Sequence, residues 1–266
     1  MKKITNKNQS FIENFFIKKG LKILVDLSKR KKLSVNQMEI NEPFNPELND
    51  LYNLYQYVLI NKRTTILELG SGWSSLIFSL ALNELANKFS NEVKKLRRNN
   101  PFELFVIENE KKYLDITKHR ILKFNKYLKI KKPVKINYII TDVEMTTFKN
   151  RICTQYKKLP LCNPDFIYLD GPNQFNVKKE VNGINTKHKD LMPMVCDILK
   201  LEYFYTPGTI IICDGRAANS KFMKDHFKRK WEYFNDRKKD QHLFWLVDPE
   251  LGKYNKLQLE FYNKRK

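Results

Sequence analysis

Residues 64–72, TTILELGSG, combine an acid with two glycines at the end of a short apolar run. The run predicts a buried strand that turns sharply into a helix, and Gly70 and Gly72 allow positive φ and close backbone approach to a ligand at that turn. Backbone amides at the start of the next helix would face that ligand. Glu68 lies directly before the glycines, where a carboxylate repels a phosphate and attracts a positively charged group.

The spacing around this loop argues against a dinucleotide. A dinucleotide loop follows the pattern GxGxxG, but Ser75 occupies the third glycine position. The acid expected about twenty residues further on falls in a polar segment around Asn91 and Glu92, and the first acid that ends a predicted strand is Glu108. S-adenosylmethionine fits better, since it offers an ammonium and a sulfonium to Glu68 and two ribose hydroxyls to Glu108.

The loop resembles that of the class I S-adenosylmethionine-dependent methyltransferases, in which an E/DxGxGxG turn follows the first strand. Glu68, Gly70 and Gly72 match this motif, and Ser74 stands where the third glycine usually lies. The resemblance extends from about residue 60 to residue 248. It implies a Rossmann-like fold and S-adenosyl-L-methionine as the cofactor.

The resemblance also implies roles for three further cofactor-binding candidates. Glu108 would hold the ribose, and Asp142 in ITDVEM would lie beside the adenine, unless it is only a solvated turn acid. Trp73 either flanks the methionine tail of the cofactor or covers the start of the helix, and the sequence leaves both open.

Two later acids, Asp170 and Asp214, each end an apolar strand candidate and are each followed by glycine. Because the carboxyl ends of parallel strands share one sheet edge, both are candidate catalytic residues, although Asp-Gly is also a common turn pair. By the resemblance, Asp170 lies on the acceptor side, where a carboxylate can take a proton from a hydroxyl, orient it or hold a divalent cation. Some metal-dependent O-methyltransferases carry an Asp-Asn pair after the fifth strand. Gly215 replaces that Asn, so the ligand set is incomplete, and a divalent cation at Asp170 and Asp214 is possible but not expected.

Three residues are weaker candidates on the acceptor side. Arg216 and Asn219 open the helix after Asp214, where an arginine can grip a carboxylate or phosphate bidentately or remain solvated in the first turn. His188 follows a loop long enough to act as a lid over an acceptor. It is either a general base or a surface or capping histidine.

The elements that must position these residues alternate along the chain. Strand candidates are TTILEL, FELFVIE, VKINYIIT, DFIYLD and GTIIICD, and the helix candidates between them are SSLIFSLALNELANK, EKKYLDITKHRILKFNKYL and HKDLMPMVCDILKLEYF. A further helix over RAANSKFMKDHFKRK precedes WEYFND and HLFWLV, which predict an antiparallel hairpin. The expected fold is therefore α/β, Rossmann-like and doubly wound, with a mostly parallel seven-stranded sheet and an antiparallel C-terminal hairpin.

Three regions are expected along the chain. Residues 1–60 form a helical extension, with an amphipathic helix over 10–30 that is interrupted near Gly20 and a second helix over 47–62. Residues 61–250 form the methyltransferase domain, and residues 251–266 form a basic C-terminal tail.

The composition of the chain bears on its binding partners and on its compartment. The 266 residues include 50 Lys and Arg against 29 Asp and Glu, a formal net charge of +21. Such a surface can attract RNA, anionic lipid or an acidic glycan, and a basic amphipathic helix is compatible with peripheral membrane contact, but the spread of the lysines favours a purely compositional origin. No apolar run is long enough to span a membrane, and neither a signal peptide nor metal-type cysteine spacing is present, so we expect a cytoplasmic protein with reduced thiols.

Sequence features also bear on the methyl acceptor. LDGPNQF differs from the Asn/Asp-Pro-Pro-aromatic tetrad of nucleobase amino-methyltransferases, and Leu161 precedes Cys162 where a cytosine C5 enzyme has proline. We therefore expect transfer to an oxygen of a sugar, glycan or small molecule, since the DGP and DGR segments resemble those of bacterial methyltransferases of surface-polysaccharide assembly. An RNA methyltransferase is the alternative, and a non-catalytic binding protein with the same fold is the third.

Overall fold

A seven-stranded sheet organises the protein, for which a computed structural model describes residues 1–30, 44–188 and 194–264. Strand order is β3-β2-β1-β6-β7-β9-β8, with β1 Thr65–Leu69, β2 Glu103–Glu108, β3 Ile136–Ile140, β6 Phe166–Leu169, β7 Ile210–Asp214, β8 Trp231–Asp236 and β9 Gln241–Leu246. The first five strands in this order are parallel, while β9 runs antiparallel to both β7 and β8. The predicted fold class, including the antiparallel C-terminal hairpin, is confirmed.

Helices cover both faces of this sheet. Their bounds are α1 Gln9–Lys18, α2 Lys22–Ser28, α3 Leu48–Ile60, α4 Trp73–Val93, α5 Lys111–Tyr127, α6 Asp197–Lys200, α7 Ala217–His226 and α8 Gly252–Asn263. The predicted interruption near Gly20 is present, since this glycine separates α1 from α2 with φ +75°. Lys22–Ser28 and Leu48–Ile60 also fall within the two helical segments predicted before residue 62.

Two apolar layers form the core because alternate strand residues face opposite sides of the sheet. Ile66 packs in a layer with residues of α1 to α5, whereas Leu67 and Leu69 pack in a second layer with α7 and the segment around Val195. The N-terminal helices therefore bury their apolar faces in the same core as the sheet. The predicted domain boundaries near residues 60 and 250 stay predictions.

An additional hairpin, β4 Val143–Phe148 and β5 Arg151–Tyr156, lies in the second layer. The sequence prediction missed both strands, since VEMTTF and RICTQY carry charged or polar residues at half of their positions. Lys149 and Asn150 make the turn with φ +47° and +61°, a left-handed pair that this sequence signals only weakly.

Two predicted segments differ from the structure. In the described part of the helix expected over residues 188–204, only Asp197–Lys200 is α-helical, and a 3₁₀ turn over Glu202–Phe204 follows it. Residues 189–193 of that prediction lie outside the described residues. Within the predicted basic tail, α8 buries Phe261 and Tyr262, and the Tyr262 hydroxyl donates to Asp165 Oδ2 at 2.8 Å.

The helices and the cysteines bear on the expected absence of a membrane span and on the expected reduced thiols. Among the described helices, none is long and apolar enough to cross a membrane. All four cysteines are free thiols, and three of them are buried.

Candidate functional site

The candidate site lies at the carboxyl ends of β1, β2, β6 and β7. After β1 the chain adds β2 and β3 on one side, and it later adds β6 and β7 on the other, so a topological switch point separates β1 from β6. Open α/β sheets bind ligands at such a point. Four predicted site acids, Glu68, Glu108, Asp170 and Asp214, end or follow these strands and therefore share this edge.

Glu68 is fully buried at the end of β1. Ser74 Oγ donates to its Oε1 at 2.5 Å, while its buried Oε2 has no hydrogen-bond partner among the described residues. Burial raises the pKa of Glu68 to about 8, opposed by the hydroxyls of Ser74 and Ser75 and assisted by the negative charges of Asp170 and Glu108. The site thus holds one carboxylate oxygen that is unsatisfied unless a donor or a cation enters.

The glycines of the loop have different roles. Gly70 has φ +110°, and a Cβ on it would lie 2.8 Å from the Gly171 nitrogen. The backbone at the end of β1 therefore approaches the backbone at the end of β6 closely. Gly72 has φ 175°, which is ordinary extended backbone, so of the two glycines only Gly70 uses the positive φ that the residue type allows. Its amide instead donates to Ser75 Oγ at 3.2 Å at the start of α4.

Glu108 ends β2 and is held in place by its neighbours. Ser71 Oγ donates to its Oε2 at 2.7 Å, and the backbone amides of Asn109 and Glu110 donate to its Oε1 at 2.8 and 3.1 Å. Burial raises the pKa of Glu108, and these hydrogen bonds oppose the rise. Ser71 therefore ties the glycine loop to the acid predicted to hold a ribose.

Asp170 and Asp214 differ in their surroundings. The Asp170 side chain is exposed to solvent, yet desolvation by the surrounding protein atoms raises its pKa, and the charge of Arg216 opposes the rise. Asp214 is half-buried, and its Oδ2 accepts a hydrogen bond of 2.9 Å from the Tyr168 hydroxyl. Desolvation, followed by the charges of Asp50 and Asp170, raises the pKa of Asp214 to about 8.

Arg216 and Asn219, the predicted substrate residues, are engaged with the protein backbone. The Arg216 guanidinium donates to the carbonyl oxygen of Asp170 from Nε and Nη2 and to that of Pro172 from Nη2. Asn219 is buried and pairs both ends of its amide with the backbone of Val195. A bidentate grip by Arg216 on a ligand would require these bonds to break, so its observed contacts fit a residue that shapes the loop after β6.

The other predicted residues lie around the site. The Trp73 indole donates to the Phe44 carbonyl at 3.0 Å, and the Arg120 guanidinium lies 3.6 Å from its ring centre, which fits a residue that covers the start of α4. Asp142 is exposed directly after β3. His188 is exposed at the end of its loop, and its role as a base stays a prediction.

The loop after β6, predicted as a lid, is anchored at two places. Asn109 Nδ2 donates to the carbonyls of Asn173 and Asn176, and Asn173 N donates back to Asn109 Oδ1 at 2.9 Å. Further along, the backbone of Lys178 pairs with β4 through Val143. The loop is therefore fixed against the end of β2 and against the hairpin.

Sequence reasoning missed several residues that shape this site, among them Ser71, Asn109, Tyr156 and Tyr168. Ser71 and Asn109 adjoin residues already singled out, so their polar side chains beside Gly70 and Glu108 were a usable signal. The two tyrosines lie on strands that read as core or were not predicted at all. Among the described residues, no group of three or more His, Cys, Asp and Glu could hold a metal ion.

Comparisons with known proteins add a likeness of fold. No protein-family model and no curated protein matches the chain. Solved structures similar to it include an O-methyltransferase from Bacillus cereus in complex with SAH, with 14% identity, a TM-score of 0.37 and coverage of 92% of this chain and 94% of that one. An O-methyltransferase of tomaymycin synthesis from Streptomyces achromogenes, in complex with SAM, has 10% identity, a TM-score of 0.42 and coverage of 91% and 100%. At these identities and TM-scores the likeness assigns neither a family nor an activity to the chain.

Proposed function

We propose that the chain is an S-adenosylmethionine-dependent methyltransferase. The observation that carries this proposal is the buried Glu68 carboxylate, whose Oε2 has no partner among the described residues. A cation stabilises the ionised form of such a carboxyl group, whereas the phosphates of a dinucleotide would oppose its ionisation and form no ion pair with it. The charges of Glu108 and Asp170 act on the same group and strengthen the preference for a cationic ligand.

The remaining residues of the edge fit the other parts of this cofactor. S-adenosylmethionine supplies a methyl group already activated by its sulfonium, so alignment and exclusion of water contribute most to the reaction. Glu108, fixed by Ser71 and backbone amides, offers acceptor oxygens to ribose hydroxyls. The contact of Gly70 with Gly171 brings Asp170 next to the glycine loop.

An oxygen of a sugar, glycan or small molecule is the proposed acceptor. Asp170 is exposed at the carboxyl end of β6, where its carboxylate can accept the proton of an acceptor hydroxyl. Asp214, held by Tyr168, is a second candidate base. An acidic edge of this kind is unfavourable for a polyanionic acceptor at the reaction centre, which weighs against the RNA alternative.

The proposal is tested by calorimetry with S-adenosylmethionine, followed by a screen with methyl-labelled cofactor. The screen offers cell-envelope glycans, small phenols and total RNA as acceptors. We expect saturable cofactor binding and label in a glycan or a phenol. Absence of saturable binding by the folded protein contradicts the proposal, label in RNA replaces the proposed acceptor, and binding without any transfer favours a non-catalytic role.

A further inference from the structure

The hydroxyl of Tyr156 is buried and makes no hydrogen bond to the described part of the protein. The residue is 4% exposed, and its hydroxyl has no hydrogen-bond partner among the described residues. Leaving a buried hydroxyl unpaired costs free energy that a phenylalanine at the same position would avoid. An unpaired donor of this kind is available to a ligand where it lies at a binding site.

The position of Tyr156 in the fold places it at the candidate site. It ends β5 and pairs with Val143, the first residue of β4, and the next amide, Lys157 N, donates to the Asp142 carbonyl at 2.9 Å. Its ring belongs to the apolar layer that contains Leu69 and Ile107, which lie at the carboxyl ends of β1 and β2.

Several of the charges that act on the phenol belong to the candidate site. Burial raises the pKa of Tyr156 far above its usual range, and Glu108 is the strongest of the charges that add to this rise. Asp197 and Asp170 add to it, and Arg216 opposes it. Glu108 and Asp170 both belong to the acidic edge described above, so the phenol lies within electrostatic reach of that edge.

We propose that the Tyr156 hydroxyl donates a hydrogen bond to the nucleoside half of the cofactor, next to Glu108. This inference rests on the proposed function. A nucleoside presents ring nitrogens and ribose oxygens as acceptors and ribose hydroxyls as donors, and Tyr156 with Glu108 offers one group of each kind. The unpaired Oε2 of Glu68 would serve the ammonium end of the same ligand, on the other layer of the sheet.

The test compares two ligands that share the nucleoside and differ in the amino acid. S-adenosylhomocysteine has both parts, whereas 5′-methylthioadenosine keeps the nucleoside and lacks the ammonium. Tyr156→Phe should weaken the binding of both ligands by about the same factor, about three- to tenfold, in calorimetry. Glu68→Gln should weaken S-adenosylhomocysteine binding alone.

Tyr205→Phe is the matched control. Tyr205 is also buried with an unpaired hydroxyl, but neither Glu108 nor Asp170 is among the charges that act on it, which are those of Asp197, Cys162 and Glu202. Its replacement should leave both affinities unchanged. The melting temperature of each phenylalanine variant should equal or exceed that of the wild type, because an unpaired donor is removed.

The outcomes separate this inference from the proposed function. If the wild type binds neither ligand, the proposed function fails and the inference fails with it. If the wild type binds both ligands and Tyr156→Phe binds them equally well, the function stands and the inference is overturned. A loss confined to S-adenosylhomocysteine, or a fall in melting temperature of Tyr156→Phe, also overturns it, since the hydroxyl would then serve the amino acid or the protein.

Discussion

A buried carboxylic acid changes its charge state when a cation binds beside it. Because the pKa of Glu68 is raised to about 8, the side chain is mostly protonated near neutral pH while the site is empty. An ammonium placed against Oε2 stabilises the ionised form, so ligand binding should release a proton. The serine at position 74, which replaces the glycine of the usual motif, already holds the other oxygen.

Glu68→Gln keeps the size of the side chain and removes its charge. We expect the affinity for S-adenosylhomocysteine to fall about tenfold and the proton release on binding to disappear, as measured by calorimetry in buffers with different ionisation enthalpies. Glu103→Gln is the control, because Glu103 lies at the opposite end of β2. Equal affinity and equal proton release in wild type and Glu68→Gln would remove Glu68 from the cofactor site.

Asp170→Asn separates binding from turnover. The exposed carboxylate is proposed to accept a proton from the acceptor, so the amide should leave cofactor affinity within about twofold and lower methyl transfer by about a hundredfold or more. Labelled-methyl transfer and calorimetry on the same preparation measure both. Asp225→Asn, an exposed change on α7, is the control, and a large loss of cofactor affinity in Asp170→Asn would place Asp170 in the cofactor pocket instead.

At the scale of the elements, the apolar strands of the sheet could be predicted from the sequence, whereas the β4–β5 hairpin between two of them could not. WEYFND coincides with β8, and the five parallel strands match their predicted segments within two residues at each end, since buried parallel strands are continuously apolar. The β4–β5 hairpin was missed because its strands are polar and its turn lacks a strong glycine signal. The sequence therefore predicted the acids at the strand ends, but not Tyr156, which depends on that hairpin.

The contact between the ends of β1 and β6 could not be predicted from the sequence either, because it depends on these two strands being neighbours in the sheet. A Cβ on Gly171 would lie 2.6 Å from Gly70 Cα, and backbone atoms cannot yield as a flexible side chain does. Gly171→Ala should therefore lower the free energy of unfolding by about 2–4 kcal/mol, as measured by urea denaturation. Gly72→Ala should cost less than about 1 kcal/mol, because its Cβ would meet only Ser74 Oγ, at 3.9 Å. Similar costs for both variants would contradict the role assigned to the contact.

At the scale of the whole molecule, an acidic edge lies within a strongly basic protein. The net charge of +21 contrasts with the acids gathered at the carboxyl ends of the strands. Several surface lysines are engaged locally, as in the pairs Lys111–Asp115 and Lys221–Asp225 along single helices. The basic surface can raise the encounter rate with an anionic macromolecule, but the acidic edge favours a cationic or neutral ligand at the reaction centre. Affinity for total RNA that falls steeply with salt would show that the lysines act as a binding surface.

The buried acids also determine how stability responds to pH. The pKa values of Glu68 and Asp214 are raised to about 8, and that of Asp197 to about 7, from ordinary values of 4.5 and 3.8. Between about pH 5 and pH 8 the folded state therefore holds protons that the unfolded chain has released, so the free energy of unfolding falls as pH rises, by at most about 1.4 kcal/mol per pH unit for each group. Glu68→Gln should reduce this slope, whereas Glu103→Gln, which removes a carboxyl whose pKa is lowered, should not.

Urea denaturation of the ligand-free protein and both variants across this range measures these slopes, and comparison between variants cancels the repulsion of the net charge. Saturating S-adenosylhomocysteine should stabilise the wild type more at pH 8 than at pH 6, because the ligand favours the ionised form of Glu68. A wild-type slope equal to that of Glu68→Gln, or a ligand effect that does not grow with pH, would show that Glu68 does not titrate as an empty, buried acid.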